Sequence, residues 1–221
     1  MVNTYSQDNK TNPEQELWAK EFNVNPKDLS SVGENDHFIL KPGYKLTLQG
    51  KEDGEEVVLV ITVLNEIKIV DGCTTRVVEE KEMKGGKIVE VSRNYFAIDN
   101  RNKDIYYFGE SVDVYENGKI VSHGGAWESG KENAKFGLMI PGKIEIGKKY
   151  YQEFAPKIAM DRAEVISITD SLKTPAGKFK NCLKIKVTSP LEPKAIEYKI
   201  YSKGIGLIKD GDLLLTKYGF K

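Results

Sequence analysis

Glu110, Asp113, His123 and Trp127 fall within one short stretch, Asp104 to Trp127, and they are the side chains in this chain best placed to do chemistry. A histidine with neighbouring carboxylates is the raw material of a mixed metal site or of proton transfer, so His123 with Glu110, Asp113 or Glu128 is one candidate centre. The plainer reading is that His123, directly before Gly124-Gly125, is an ordinary surface residue at a strand end. The stretch itself reads as two strands joined at Asn117-Gly118, a dipeptide that tolerates the positive φ angles of a tight hairpin. Strict alternation places Glu110 on the buried face with Tyr106, Phe108, Val112 and Val114, where a carboxylate needs a partner or a reason.

A second chemistry is that of paired carboxylates. Glu110, Asp113, Asp161, Glu164, Glu192 and Glu197 offer pairs for acid and base work, and Glu110 with Glu164 is the better pair because Glu164 shares its strand face with Met160, Ile166 and Ile168. With 33 acidic residues in the chain, such pairs are easily drawn. The plainer reading is a buried polar network in which tyrosines, Arg93 or Arg162 satisfy the carboxylates. A third resource is aromatic: Tyr107, Trp127, Tyr150 and Tyr151 combine an apolar body with a polar end, which suits the wall of a ligand cavity and equally suits core filling. Gly-x-Ser-x-Gly, the phosphate-binding Gly-x-x-x-x-Gly-Lys followed by Ser or Thr, His-Glu-x-x-His and Cys-x-x-Cys are all absent, and two histidines cannot make a multi-histidine zinc site. No cofactor is expected.

The elements that must position these groups are nearly all strands. From His37 the candidates are Tyr44 to Gln49, Glu56 to Leu64, Thr74 to Met83, Ile88 to Ile98, Ile105 to Tyr115, Lys119 to His123, Ala163 to Thr169, Phe179 to Thr188, Ala195 to Tyr201, Gly206 to Lys209 and Leu213 to Tyr218. Turn signals such as Asp53-Gly54, Asp71-Gly72, Gly85-Gly86 and Asp210-Gly211 separate them, and the short links predict an antiparallel meander. The expected fold is mainly β, a curved sheet or incomplete barrel with a short N-terminal helix. Asn12-Pro13-Glu14 starts that helix, which runs to about Phe22. The expected division is a polar tail and helix over residues 1–36 and one β domain over residues 37–221.

Two strands sharpen the expectation. Lys178 to Thr188 alternates between Phe179, Leu183, Ile185 and Val187 on one face and lysines on the other, and it puts Cys182 on the lysine face, partly exposed. Glu56 to Leu64 is apolar on both faces and should be covered on both sides. Between Trp127 and Pro156 the periodicity weakens, as expected of a lid or rim.

Lys plus Arg and Asp plus Glu are 33 each, so the net charge is zero and a nucleic-acid partner is not expected. No apolar run approaches the roughly 18 to 20 residues of a membrane-crossing helix. The polar segment after Met1 reads as the start of an exported protein whose signal has been removed. Cys73 and Cys182 allow one disulfide or two free thiols.

The segments Phe38 to Tyr44, Tyr106 to Trp127, Met160 to Val165, Thr174 to Phe179 with Cys182, and Tyr198 to Leu207 carry a resemblance. Together they make the chain similar to uncharacterised exported β-sheet proteins of bacteria and archaea, and the last two segments resemble curved-sheet periplasmic proteins such as lipoprotein carriers. That resemblance implies a periplasmic or extracellular place and a curved sheet. Three functions stay open: a carrier of a small or lipid-like ligand on the concave face, bounded by Tyr107, Trp127, Tyr150 and Tyr151; an enzyme or metal site at Glu110, Asp113 and His123 with Asp161 and Glu164 opposite; and a structural or interaction domain.

Overall fold

The computed structural model describes residues 18–220. After a turn of 3-10 helix at Pro26–Asp28, capped by Asn25, the described residues run through 18 strands. The first eight are β1 (Leu29–Ser30), β2 (Gly33–Asn35), β3 (Phe38–Leu40), β4 (Tyr44–Glu52), β5 (Glu55–Val70), β6 (Cys73–Lys84), β7 (Lys87–Asp99) and β8 (Ile105–Glu116). Short pieces follow: β9 (Lys119–Ser122), β10 (Trp127–Glu128), β11 (Lys135–Ile140), β12 (Lys149–Tyr151) and β13 (Glu153–Phe154). The chain ends with β14 (Arg162–Thr174), β15 (Gly177–Thr188), β16 (Ile196–Ser202), β17 (Gly206–Asp210) and β18 (Leu213–Phe220).

All strand pairings within this sheet are antiparallel, and its order is β12-β14-β15-β16-β17-β18-β4-β5-β6-β7-β8-β11-β13. Consecutive strands are joined by the expected turns, and at Asn117-Gly118 both residues have positive φ, 51° and 75°. The meander curls until its ends approach. Gly137 of β11 lies so close to the chain after β12 that a Cβ there would sit 2.2 Å from the Gln152 carbonyl oxygen. The Gln152 side-chain amide donates across the same seam to the Met139 carbonyl at 3.1 Å. The result is a nearly closed barrel.

Register decides which residues face inward, since partners directly across an antiparallel pair share a face. Leu46, Ile61 and Glu80 stand in one row, and Leu48, Leu59 and Glu82 in the next. Buried Leu48, Leu59, Val63, Leu183, Ile185, Tyr201 and Leu215 line the interior. Each such aliphatic side chain taken fully out of water contributes roughly 1.5–3 kcal/mol. The both-sided apolar character of β5 is only half used: Val57, Leu59 and Val63 are buried, whereas Val58, Val60 and Leu64 on the other face stay half-buried.

The helix expected from Asn12 to Phe22 is corrected. Asn12 to Leu17 lie outside the described residues, and Trp18 to Phe22 are not helical. Instead Ala19 bridges in parallel to Tyr150, with the Ala19 amide donating to the Lys149 carbonyl at 3.1 Å and the Tyr151 amide donating to the Ala19 carbonyl at 2.8 Å. An edge strand with unpaired amides outweighs a local helix preference of a few tenths of a kcal/mol per residue. Trp18 packs beneath the Arg162 guanidinium, 4.6 Å from its ring centroid, and Phe22 joins Tyr106 and Phe136 in an aromatic cluster.

Cys182 is also corrected: it is buried. Asn181, at φ 53°, adds one residue to β15 between the partners of Asp170 and Leu172, so Phe179 shares the face of Cys182 instead of that of Leu183, and that face is covered at Cys182. Cys73 and Cys182 are both free. Among the described residues no helix is long and apolar enough to cross a membrane.

Candidate functional site

The inner wall of the barrel carries a band of carboxyl groups. Glu80 on β6 stands opposite Ser92 on β7, and Asn94 on β7 stands opposite Glu110 on β8. From the far side of the barrel come Lys199 on β16 and Asp210 on β17, paired in register and bridged at 3.2 Å. Glu153, Asp161, Glu90 and Glu197 complete the electrostatic neighbourhood. Lys199 is the cation within this group, so its carboxyls cannot all ionise cheaply.

The consequences follow from burial first and like charge second. Enclosure by protein pushes the Glu80 carboxyl up to about 7, with Lys199 pulling it down and Asp210, Glu90 and Glu82 adding to the rise. Glu110 is likewise pushed up to about 7, by burial and then by the charge of Glu80, while the nearby Tyr107 hydroxyl opposes the shift. Glu153 is held well above the usual carboxylate range by burial and by Glu110 and Asp161. Burial pulls the Lys199 ammonium down, but Asp210, Glu197, Tyr201 and Glu80 more than reverse that and raise it. Glu80 and Glu110 are only half-buried by surface area although protein surrounds them, because water enters the concave interior. Glu197 sits exposed at the rim, where solvent screens its neighbours, so the argument rests on Glu80, Glu110 and Glu153.

A β-bulge gives Glu110 its company. Two steps of β7, Asn94 to Phe96, face three of β8, Tyr107 to Glu110, and Gly109 takes up the extra residue at φ 130°. Tyr107 and Glu110 therefore share the inner face, and Tyr106 and Phe108 turn outward to pack on Phe136. Strict alternation predicted the reverse grouping. Trp127 of β10 pairs with Glu110 and joins the same face, with its ring edge-on to Tyr107 at 5.4 Å. The Tyr107 hydroxyl donates to Asn94 Oδ1.

Around Glu110 opens a cleft of about 220 Å³, walled by Trp127, Ala134, Ala155 and Ile158, with Glu128 and Lys131 at its mouth. Trp127 is 5% exposed, and its indole N–H has no acceptor among the described residues. A second cavity, of about 60 Å³, lies deeper between Leu46, Ile61, Phe96 and Met139, with Glu80, Lys199 and Asp210 in its lining.

The remaining sequence candidates are placed as follows. His123 Nδ1 lies 2.8 Å from Asp113 Oδ1, and Asp113, in register with Val91 and Lys81, is on the outer face, away from Glu110. Glu164 is also on the outside, 3.5 Å from Lys149, so it does not meet Glu110. Asp161 does, and burial raises its carboxyl. Tyr150, in register with Ala163, is fully buried on the inner side, and its hydroxyl lacks a partner among the described residues. Tyr151 is buried edge-on to Phe154. Among the described residues no group of three or more His, Cys, Asp or Glu is placed to hold a metal ion.

Sequence reasoning passed over Glu80, Glu90, Glu153, Lys199 and Asp210. The signal for Glu80 was there in part: Val78 and Glu80 share a strand face. What was missing was the register that sets Glu80 opposite apolar Ile61.

Compared with known protein-family models, with curated proteins and with solved structures, the chain matches none.

Proposed function

We propose that this chain is a binding protein that takes a small ligand in the interior of its curved sheet, at the Glu110 and Trp127 cleft. The observation that carries this reading is the cleft itself, about 220 Å³, with the half-buried Glu110 carboxyl and the buried Trp127 ring in its wall. Sites for drug-sized ligands run from about 300 to 1,000 Å³, so the occupant is smaller than that. The inner cavity, at about 60 Å³, has room for a few waters and not for an acyl chain, which favours the small-ligand form of the reading over the lipid-like one. A place outside the cytoplasm belongs to the proposal and rests on the sequence resemblance alone.

One observation favours a second reading, an acid–base enzyme: Glu110 and Glu153 feel each other's charge and both are raised. Pairs of carboxyls separated in this way supply a proton donor and a base in glycoside hydrolysis.

Native mass spectrometry of the protein purified from its own host, beside the same sample denatured and desalted, tests the binding reading. The expected result is an organic mass that leaves on denaturation and is missing from Trp127→Phe. Identical masses in both states would count against it.

A further inference from the structure

We propose that the unpaired edge of β18 is a docking site for an extended acidic peptide, which adds to the barrel as a further strand. On one side β18 pairs with β4, from Leu214 opposite Gln49 to Phe220 opposite Tyr44. On its other side it pairs with β17 only at Leu213 and Leu214. One further backbone bond, from the Ala176 amide to the Leu215 carbonyl at 3.1 Å, comes from the turn between β14 and β15. From Thr216 to Phe220 the backbone groups that face away from β4 have no backbone partner among the described residues. Amides and carbonyls left in this state are a template for another strand. Against this edge lies a groove of about 450 Å³, walled by Lys45, Thr47, Ala176, Lys217, Tyr218 and Phe220.

Charge selects the occupant. Lys45 and Lys217 line the groove, no carboxylate does, and Lys173 and Lys178 are register partners at the base of the turn that carries Ala176. None of these four lysines is ion-paired among the described residues, and carboxylates farther along the neighbouring strands are taken, Asp170 by Lys184 at 3.8 Å and Asp210 by Lys199 at 3.2 Å. An acidic strand would set its carboxylates against these ammonium groups. A second copy of this chain would bring the same lysines together, and like charges across a strand pair destabilise it. Tyr218 and Phe220 are 49% and 60% exposed, with the Phe220 ring edge-on to Tyr44 at 5.1 Å. They offer apolar surface to aliphatic side chains placed between the acids. A nucleic-acid strand could meet the lysines and the rings, but it has no alternating amide and carbonyl with which to pair the edge, so the backbone favours a peptide.

Thr216 to Phe220 span about 17 Å at roughly 3.4 Å per residue, so a peptide of about six residues fills the edge. β4 to β7 separate β18 from β8 in the sheet, so the edge works independently of the Glu110 cleft.

The test titrates acetyl-Glu-Val-Glu-Val-Glu-Val-amide into the intact chain labelled with nitrogen-15. Its controls are acetyl-Lys-Val-Lys-Val-Lys-Val-amide, the acidic peptide N-methylated at every residue, and a deoxythymidine dodecamer. The acidic peptide is expected to bind saturably and to slow amide hydrogen exchange within Thr216 to Phe220. Its affinity is expected to fall roughly tenfold or more on N-methylation, and by as much when Lys45→Glu and Lys217→Glu are combined. Lys217 is exposed, so Lys217→Glu alone should fold and keeps the test open if the double variant does not. If the acidic peptide fails to saturate, if the lysine peptide or the N-methylated peptide binds as tightly, or if the lysine variants change nothing, the proposal is wrong. Tighter binding of the dodecamer would make the edge a nucleic-acid groove, and protection that grows with protein concentration alone, with dimers in sedimentation, would make its occupant a second copy. Amides already protected in dilute, peptide-free protein would show the edge to be covered by the chain itself. Each of these three results overturns the proposal, and none of them bears on the Glu110 cleft.

Discussion

The protein is expected to melt at a higher temperature at pH 5 than at pH 8. The cause is the inner carboxyl band. Glu80 and Glu110 are raised from 4.5 in the unfolded chain to about 7 in the fold. A raised acid binds more protons folded than unfolded across that window, so the stability it supports is present near pH 4.5 and is lost as pH rises to 7. A shift of this size is worth about 3 kcal/mol for one group at most. Glu80 and Glu110 feel each other's charge, so they titrate as a pair and their effects do not simply add. Water in the interior discounts the figure further, and about 2–3 kcal/mol in all is the expected loss. For a chain of this size that is roughly 5–10 °C.

Carboxyls with lowered values act below the window, whereas His37, which burial lowers from 6.5, acts inside it and offsets part of the fall. Asp99, whose burial is outweighed by hydrogen bonds from Arg101, loses its contribution as pH falls through its depressed value under 3.8. Lys199 acts above the window, past 10.5. The maximum therefore lies near pH 5. Glu80→Gln should reduce the fall without abolishing it, since burial still raises Glu110. Calorimetry across pH 4.5 to 8 reads both, and a melting temperature that climbs steadily from 5 to 8 would sink the assignment.

Gly109→Ala is expected to cost at least about 3 kcal/mol. Its φ of 130° is closed to side chains, and an added Cβ would stand 2.3 Å from the Trp127 carbonyl oxygen and 2.8 Å from the Glu128 Cα. The clash is with backbone, so β10 must move, and with it the indole that walls the cleft. Gly118→Ala is the control: its φ is also positive, at 75°, but nothing lies within 4 Å of the added carbon, and about 1 kcal/mol is expected. Urea unfolding of the two variants decides between them. Equal costs would mean that the bulge is not what holds Trp127 against β8.

Much of the fold was legible from local pattern because a meander is built from local signals. Asn117-Gly118 names its own turn, and the alternation in Leu183, Ile185 and Val187 names its own face. Those faces held where each strand kept its count. Where one residue was inserted, the count across it failed: at Gly109, Tyr107 took the inward place assigned to Phe108, and at Asn181, Phe179 left the face of Leu183. Neither insertion has a cost visible in its own strand, since both are fixed by the neighbour's register. The pieces between Trp127 and Phe154 escaped notice because two- and three-residue strands are defined by what they close against, such as Gly137 against Gln152. The site was half legible for the same reason. Glu110 stood out as a carboxylate in an apolar strand, and Trp127 lay close in sequence, but Glu153 and Lys199 join them only once the barrel curls. Asp113 and His123 did find each other, on the outer face.

The account depends on the Glu110 carboxyl, in the wall of the cleft, being surrounded by protein and salt-bridged to no cation among the described residues. The most direct measurement is a pH titration of the Glu110 side-chain carboxyl by carbon-13 chemical shift, assigned with Glu110→Gln, in protein free of ligand. A midpoint near 7 is predicted, with a further small displacement where Glu80 titrates. A single transition near 4.5 would show Glu110 to be an ordinary solvated glutamate, and the binding reading would lose its physical basis.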